Sequence, residues 1–173
     1  MASDEQVLTE RLICRPTEPE DLSAYEAVLL DPDVEVRLRP ASAPPMDERR
    51  VRERLEADLA HWEKHGFGPW TLIERDSGFT VGRGGLQWTA TEDREVVELP
   101  WAIVSQHWNR GFATEAAEAA LAWARQLELL EAVALVTPDN DSSRRVAEKI
   151  GMQVEGQTVH GGLPHLIYRA LLV

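Results

Sequence analysis

Cysteine is nearly absent. Cys14 is the only one in 173 residues, which excludes an internal disulfide framework and a cysteine-based zinc site. Positive charge is also scarce: 18 Lys and Arg against 30 Asp and Glu leave a net charge of −12. A field of that sign repels polyanions and argues against a nucleic-acid partner, although a local basic patch could still hold a small phosphorylated ligand. The sequence has no apolar run of ~18 residues and no leader-like start, so it predicts a cytoplasmic protein with no membrane span. Among the five histidines only His61 and His65 stand at i,i+4. No Glu follows His61 as a helical zinc-protease motif requires, so the pair reads as a solvated helix face and no metal is expected. The phosphate loop G-x-x-x-x-G-K-[ST] is missing, and Gly82, Gly84 and Gly85 in "VGRGG" do not make G-x-G-x-x-G.

Apolar residues at 43% give material for a real core, and the length suits a single domain over residues 1–173. "ERLICR" alternates as a first strand. "TEPEDLSAYEAVLL" follows as an amphipathic helix, with Thr17 and Glu20 spaced as a capping box. "DVEVRLRPASAPP" reads as a proline-bearing connection, and "MDERRVRERLEADLAHWEKHG" as a second helix ended by Gly66. "PWTLIERD" and "FTVGRGGLQWTA" flank a turn signal and predict a hairpin, then "REVVELPWAIV" predicts a strand. Pro100 lies within it and cannot donate to a ladder, so pairing should fail there. A helix over Gly111–Gln126, the buried-type strand "EAVALVT", the helix "DNDSSRRVAEKIGM" and a last hairpin complete the chain. The order β-α-α-β-β-β-α-β-α-β-β predicts a mixed α/β sheet with helices on both faces.

The most informative stretch is "HWNRGFATEAAEAALAWA", which begins a long helix through a lone glycine. The first N–H groups of a helix have no intrahelical partner, and the dipole adds about half a positive charge there. Gly111 carries no side chain to keep a ligand off them, so strand, glycine and helix together make an anion cradle suited to a phosphate or pyrophosphate. A tight turn and nothing more is the plainer reading of the same letters.

"WNRGFATEA" resembles the acetyl-CoA loop of the GNAT N-acetyltransferases, in the form of their ribosomal-protein alanine/serine (RimJ/RimL-like) branch. "TERLICRP", "DPDVEVRLRP", "GFGPWTLIER", "VGRGGLQW", "VVELPWAIVSQHW" and "NDSSRRVAEKIGM" fall in the order of that branch across nearly the whole chain. The resemblance implies a mixed, mostly antiparallel sheet of six to seven strands, splayed between the fourth and fifth. It implies acetyl-CoA as cosubstrate, with its pantetheine arm pairing near Ile103 and Val104. Its pyrophosphate would rest on Asn109, Arg110, Gly111, Phe112, Ala113 and Thr114, with the Arg110 side chain adding positive charge. Trp108 departs from the Gln or Arg that opens the general loop pattern. Arg144, Arg145 and Lys149 could serve the nucleotide 3′-phosphate, although each alone reads as solvated.

Catalysis in the family is direct attack of a neutral amine on the thioester within a ternary complex, which needs a base and an acid. The family's tyrosine acid falls at Ala147 and is absent. The resemblance puts Ser143 in its place, beside Asn140, where a plain N-cap pair is the structural alternative. Glu98 is the candidate base, since desolvation raises carboxylate pKa values in general; a solvent-facing strand residue is the alternative. Glu115 reads as an ordinary first-turn acid. Trp70 and Trp88 are the tryptophans expected near the acceptor. The acceptor implied is an amine, either a protein N-terminus or a small molecule, and a homodimer is compatible with the reading. The missing tyrosine keeps a non-catalytic acyl-CoA sensor open at this point, and a nucleotide-binding regulatory protein is a second alternative.

Overall fold

The computed structural model describes residues 6–173, and its strands follow the apolar alternation of the sequence. β1 (Val7–Leu8) and β2 (Leu12–Pro16) are followed by α1 (Leu22–Leu29), α2 (Pro32–Leu38) and α3 (Glu48–His65). β3 (Pro69–Glu74), β4 (Thr80–Gly85), β5 (Gln87–Ala90), β6 (Glu95–Glu98) and β7 (Ala102–Ile103) lead to α4 (Phe112–Gln126). β8 (Glu131–Val136), α5 (Asp141–Lys149), β9 (Gln153–His160) and β10 (Leu163–Leu171) close the chain. The strands form two five-stranded sheets, ordered β1-β2-β3-β4-β7 and β5-β6-β8-β10-β9. All pairings are antiparallel except β6 with β8.

Two runs that read as continuous strands are each broken. "FTVGRGGLQWTA" divides at Leu86 into β4 and β5, which belong to different sheets. "REVVELPWAIV" divides at Pro100 into β6, which pairs with β8, and β7, which pairs with β4. The Leu99 amide still donates to Val133 O at 2.7 Å, after which the chain leaves β8. The fourth run of strand and the fifth therefore part where the missing N–H of Pro100 falls. β4 and β7 approach so closely that a Cβ on Gly82 would lie 2.3 Å from Ala102 O.

Alternation along β3 sends side chains to opposite faces. Trp70 and Leu72 go to a core under α4, with Ala116, Ala117, Ala120 and Ala124. Thr71 goes to the other face, where its hydroxyl donates to Asp21 at 2.8 Å. The alanines let α4 lie close on the sheet, while α1 and α3 cover the opposite face through Tyr25, Val28, Val51 and Leu55.

Three local expectations fail. The capping box is Glu18 with Asp21, not Thr17 with Glu20, and it opens a 3-10 turn, Pro19–Asp21, that leads into α1. The Thr17 hydroxyl is instead buried between Tyr25 Oη (3.0 Å) and Pro69 O (3.1 Å). The connection "DVEVRLRP" supplies most of the helix α2, which starts one residue earlier at Pro32, with Asp31 accepting from Asp33 N at 3.0 Å as its cap. His61 is not a solvated face residue. Its Nδ1 bonds Phe67 O at 2.8 Å and its Nε2 accepts from Trp88 N at 2.9 Å, tying α3 to β5. Among the described residues no helix is long and apolar enough to cross a membrane.

Candidate active site

Helix α4 starts differently from its neighbours. α2, α3 and α5 are capped by the side chains of Asp31, Asp47 and Asn140. α4 is capped by Gly111, at φ 83°, with no side-chain hydrogen bond. The amides of Phe112, Ala113 and Thr114 have no partner within the helix. A Cβ on Gly111 would also lie 3.1 Å from Arg11 Nη2. The glycine takes the positive φ without strain, and the amides it leaves bare face a cleft.

That cleft has a volume of ≈ 370 Å³. Its walls are Gly111–Thr114 on one side, Ala102 and Ile103 of β7 on another, and the α5 residues Ser142, Ser143, Arg145, Val146 and Lys149 opposite, with Asn140 before them. Trp101, His107, Trp108, Asn109 and, from α2, Val34, Arg37 and Leu38 complete the lining. The gap left by the divergence of β7 from β8 therefore opens onto the uncapped helix end. The charged lining side chains are Arg37, Arg145 and Lys149, with no Asp or Glu among them, although the chain carries a net −12. Arg37 lies over the Trp108 ring at 4.1 Å.

Of the residues expected to hold the cosubstrate, Ile103, Asn109, Gly111, Phe112, Ala113, Thr114, Asn140 and Ser143 line this cleft. Val104 and Arg110 do not. The Val104 amide donates to Val81 O at 2.9 Å, and its side chain packs among the residues under α1 and α3. The Ile103 carbonyl accepts from Trp108 Nε1 at 2.7 Å. Arg110 turns away to Glu74 (2.5 Å) and His107 Nδ1 (3.0 Å). Its guanidinium and that of Arg11 each lie 4.7 Å from the Phe112 ring centroid. Its charge is spent on Glu74, and Arg37, Arg145 and Lys149 supply the positive field instead. Arg144 is also turned away, toward Tyr168 Oη and Pro138 O. Glu115 is structural, accepting from the Thr9 hydroxyl at 2.6 Å and from Arg11 N at 2.7 Å.

On α5, Asn140 Oδ1 accepts from Ser143 N at 3.2 Å and from the Ser142 hydroxyl at 3.1 Å. Ser143 Oγ accepts from Trp101 Nε1 at 3.3 Å, a bond that spans the mouth of the splayed strands. An indole N–H is donor only, so the serine keeps its own proton free for a group in the cleft. Trp101 and Trp108 are the tryptophans at the site. Trp70 is fully buried and stacks on Trp123 at 4.7 Å, and Trp88 is exposed beside α3, its ring 6.3 Å from that of His65. The signal for Trp101 was its position directly after Pro100, at the break in pairing.

The acetyltransferase (GNAT) domain family matches residues 11–153. The chain belongs to this family. It is 29% identical over 154 residues to the protein YkkB of Bacillus subtilis, covering 88% of this chain and 87% of the relative. A GNAT-family acetyltransferase from Bordetella pertussis superposes with a TM-score of 0.81 at 27% identity, covering 95% and 98% of the two chains. A ribosomal-protein-S5-alanine acetyltransferase from Vibrio fischeri shares the fold, with a TM-score of 0.74 at 14% identity over 97% of each chain. The protein is an N-acetyltransferase of mixed α/β fold, and its structural neighbours include ribosomal-protein acetyltransferases.

In this GNAT chain Glu98 closes β6 just before the strands part. Val97 and Leu99 point into the core under α4, so Glu98 faces the α3 side, away from the lining of the cleft. It is 8% exposed. Gln87 Nε2 donates to its Oε2 at 2.8 Å. Its Oε1 has no partner among the described residues, yet the only fully enclosed unpartnered side-chain atoms among them are Trp70 Nε1 and Arg169 Nε. Glu98 Oε1 therefore touches solvent. Behind Gln87 runs a buried polar chain: Arg83 Nη2 donates to Gln87 Oε1 at 2.9 Å, Arg83 pairs with Asp58 at 2.7 and 2.9 Å, and Tyr25 Oη donates to Asp58 at 2.5 Å.

Proposed function

We propose that this enzyme transfers an acetyl group from acetyl-CoA to a primary amine, the N-terminus of a protein or a small molecule, by direct attack in a ternary complex. The observation that carries the reading is the uncapped start of α4, opening on a cleft whose charged side chains are all cationic in an acidic protein. Such a place suits a polyanionic donor. The amides of Phe112–Thr114 would hold the pyrophosphate, with the helix dipole adding ~0.3–1 kcal/mol. Arg145 and Lys149 offer charge to the remaining phosphate, and β7 at Ile103 offers its edge to the pantetheine arm. Asn140 fixes the first turn of α5, and Ser143 then presents its proton to the leaving sulfur. Glu98, across the sheet from the cleft on the α3 side, takes the proton of the attacking amine through Oε1 or a water upon it, the amine approaching the thioester through the splay from that side.

Release of CoA, measured against a panel of peptides and small primary amines, tests the reading. Wild type should bind acetyl-CoA and release CoA with at least one amine, and Glu98→Gln and Ser143→Ala should each slow that release. Acetyl-CoA binding with transfer rates untouched by both substitutions would overturn the catalytic assignment.

A further inference from the structure

We propose that Gln87 is a positioning residue for the reaction: held in one orientation by Arg83, it fixes which oxygen of Glu98 takes the proton. The inference rests on Glu98 serving as base. Arg83 can only donate, so its Nη2 forces Gln87 to present Oε1 toward it. The Gln87 NH₂ must then face Glu98, where it occupies Oε2. The flipped amide would set donor against donor at one end and acceptor against carboxylate at the other. With Oε2 holding that bond, Oε1, the oxygen in contact with solvent, has both lone pairs free and is the one offered to a proton.

Arg83 is itself fixed by both oxygens of Asp58, so the orientation it imposes on the Gln87 amide is held from α3. The other groups packed around this chain are Tyr25 of α1, bonded to Asp58, Arg54 of α3 at 4.0 Å from Asp58, and His61 of α3, bonded to the Trp88 amide next to Gln87. On β8 the pairing residue is the apolar Val133. In the transfer the amine nitrogen bonds the acetyl carbon as the carbon–sulfur bond breaks. The amine proton goes to Glu98 Oε1 and is lost from there to solvent, while the sulfur takes a proton from Ser143, whose hydroxyl regains one from solvent, so both side chains return to their starting states.

The test follows the Glu98 carboxyl by ¹³C NMR, assigned with Glu98→Gln, in wild type, Gln87→Met and Gln87→Glu. This readout needs no acceptor. Gln87→Met removes the hydrogen bond to the charged form, and Gln87→Glu adds a like charge, so both should move the titration to higher pH. With the amine that performs best in the panel, the acid limb of kcat/KM should move the same way, while acetyl-CoA affinity and Tm stay near wild type. A Glu98 titration at its wild-type pH in folded Gln87→Met and Gln87→Glu would overturn the proposal. A titration that moves while Glu98→Gln leaves transfer intact would overturn the base assignment beneath it.

Discussion

Ser143 and Cys14 show how two small polar side chains are put to opposite uses. Ser143 is half-buried in the cleft, receives the Trp101 N–H and keeps its own proton. Ser143→Ala should lower kcat by about 10²-fold, within the usual contribution of a positioned acid, with acetyl-CoA affinity little changed; stopped CoA-release assays and calorimetry check the two parts. Cys14 is fully buried, and burial followed by the nearby Glu115 charge pushes its thiol up to about 12. It should resist alkylation at pH 8 in the native protein and react at once in denaturant. At this scale the sequence was informative wherever a residue acts through its own backbone neighbours. Gly111, Asn140 and Ser143 could be read because caps and bare amides are local devices. Arg110 and Val104 could not, because the partners that draw them away, Glu74 and Val81, lie far off in the chain. Gln87 carried no motif at all; its role exists only where β5 meets β4 and β6.

The cleft depends on two elements being cut short. β7 must leave β8 and pair with β4, and Gly82 is the contact that permits it. Gly82→Ala would set a methyl 2.3 Å from Ala102 O, so β4 and β7 must separate. A loss of about 3 kcal/mol, the upper range for one substitution, is expected in denaturant titrations, with weaker acetyl-CoA binding alongside. Pro100 made the break in pairing legible in the sequence, since a missing donor is a local fact. The change of sheet at Leu86 was not legible, because alternation continues through it. The helix α2 was hidden by the prolines that follow and by the source of its support: Asp31 caps it while also accepting from Ser105 N at 2.7 Å, a contact made only in the folded chain.

Across the whole molecule, charge governs both stability and binding. In Asp21, burial opposes ionisation, but bonds from Arg15, the Glu18 amide and Thr71 outweigh it and hold the carboxyl below its ordinary range. Glu115 is held low in the same way by Thr9 and Arg11 against burial. Burial also lowers the His61 pKa, so native His61 favours the neutral form that accepts from Trp88. The unfolded chain therefore binds more protons than the native one, below about pH 6.5 for His61 and below about pH 4.5 for the acids. Stability should be full between pH 7 and 8 and fall on acidification in two stages, the first of them missing in His61→Gln; unfolding free energies from pH 4 to 8 measure this. The net −12 made an acidic protein legible at once, whereas the cationic cleft within it arises from α2 and α5 meeting in space. The central claim is that the bare amides of α4 hold the anionic donor. Calorimetric titration of acetyl-CoA into wild type and Gly111→Asp tests it most directly, since an aspartate there tolerates positive φ and sets a carboxylate on those amides. Binding to wild type, weakened at least tenfold in a folded Gly111→Asp, is the result expected; equal affinity in the two proteins, or no binding to wild type, would contradict it.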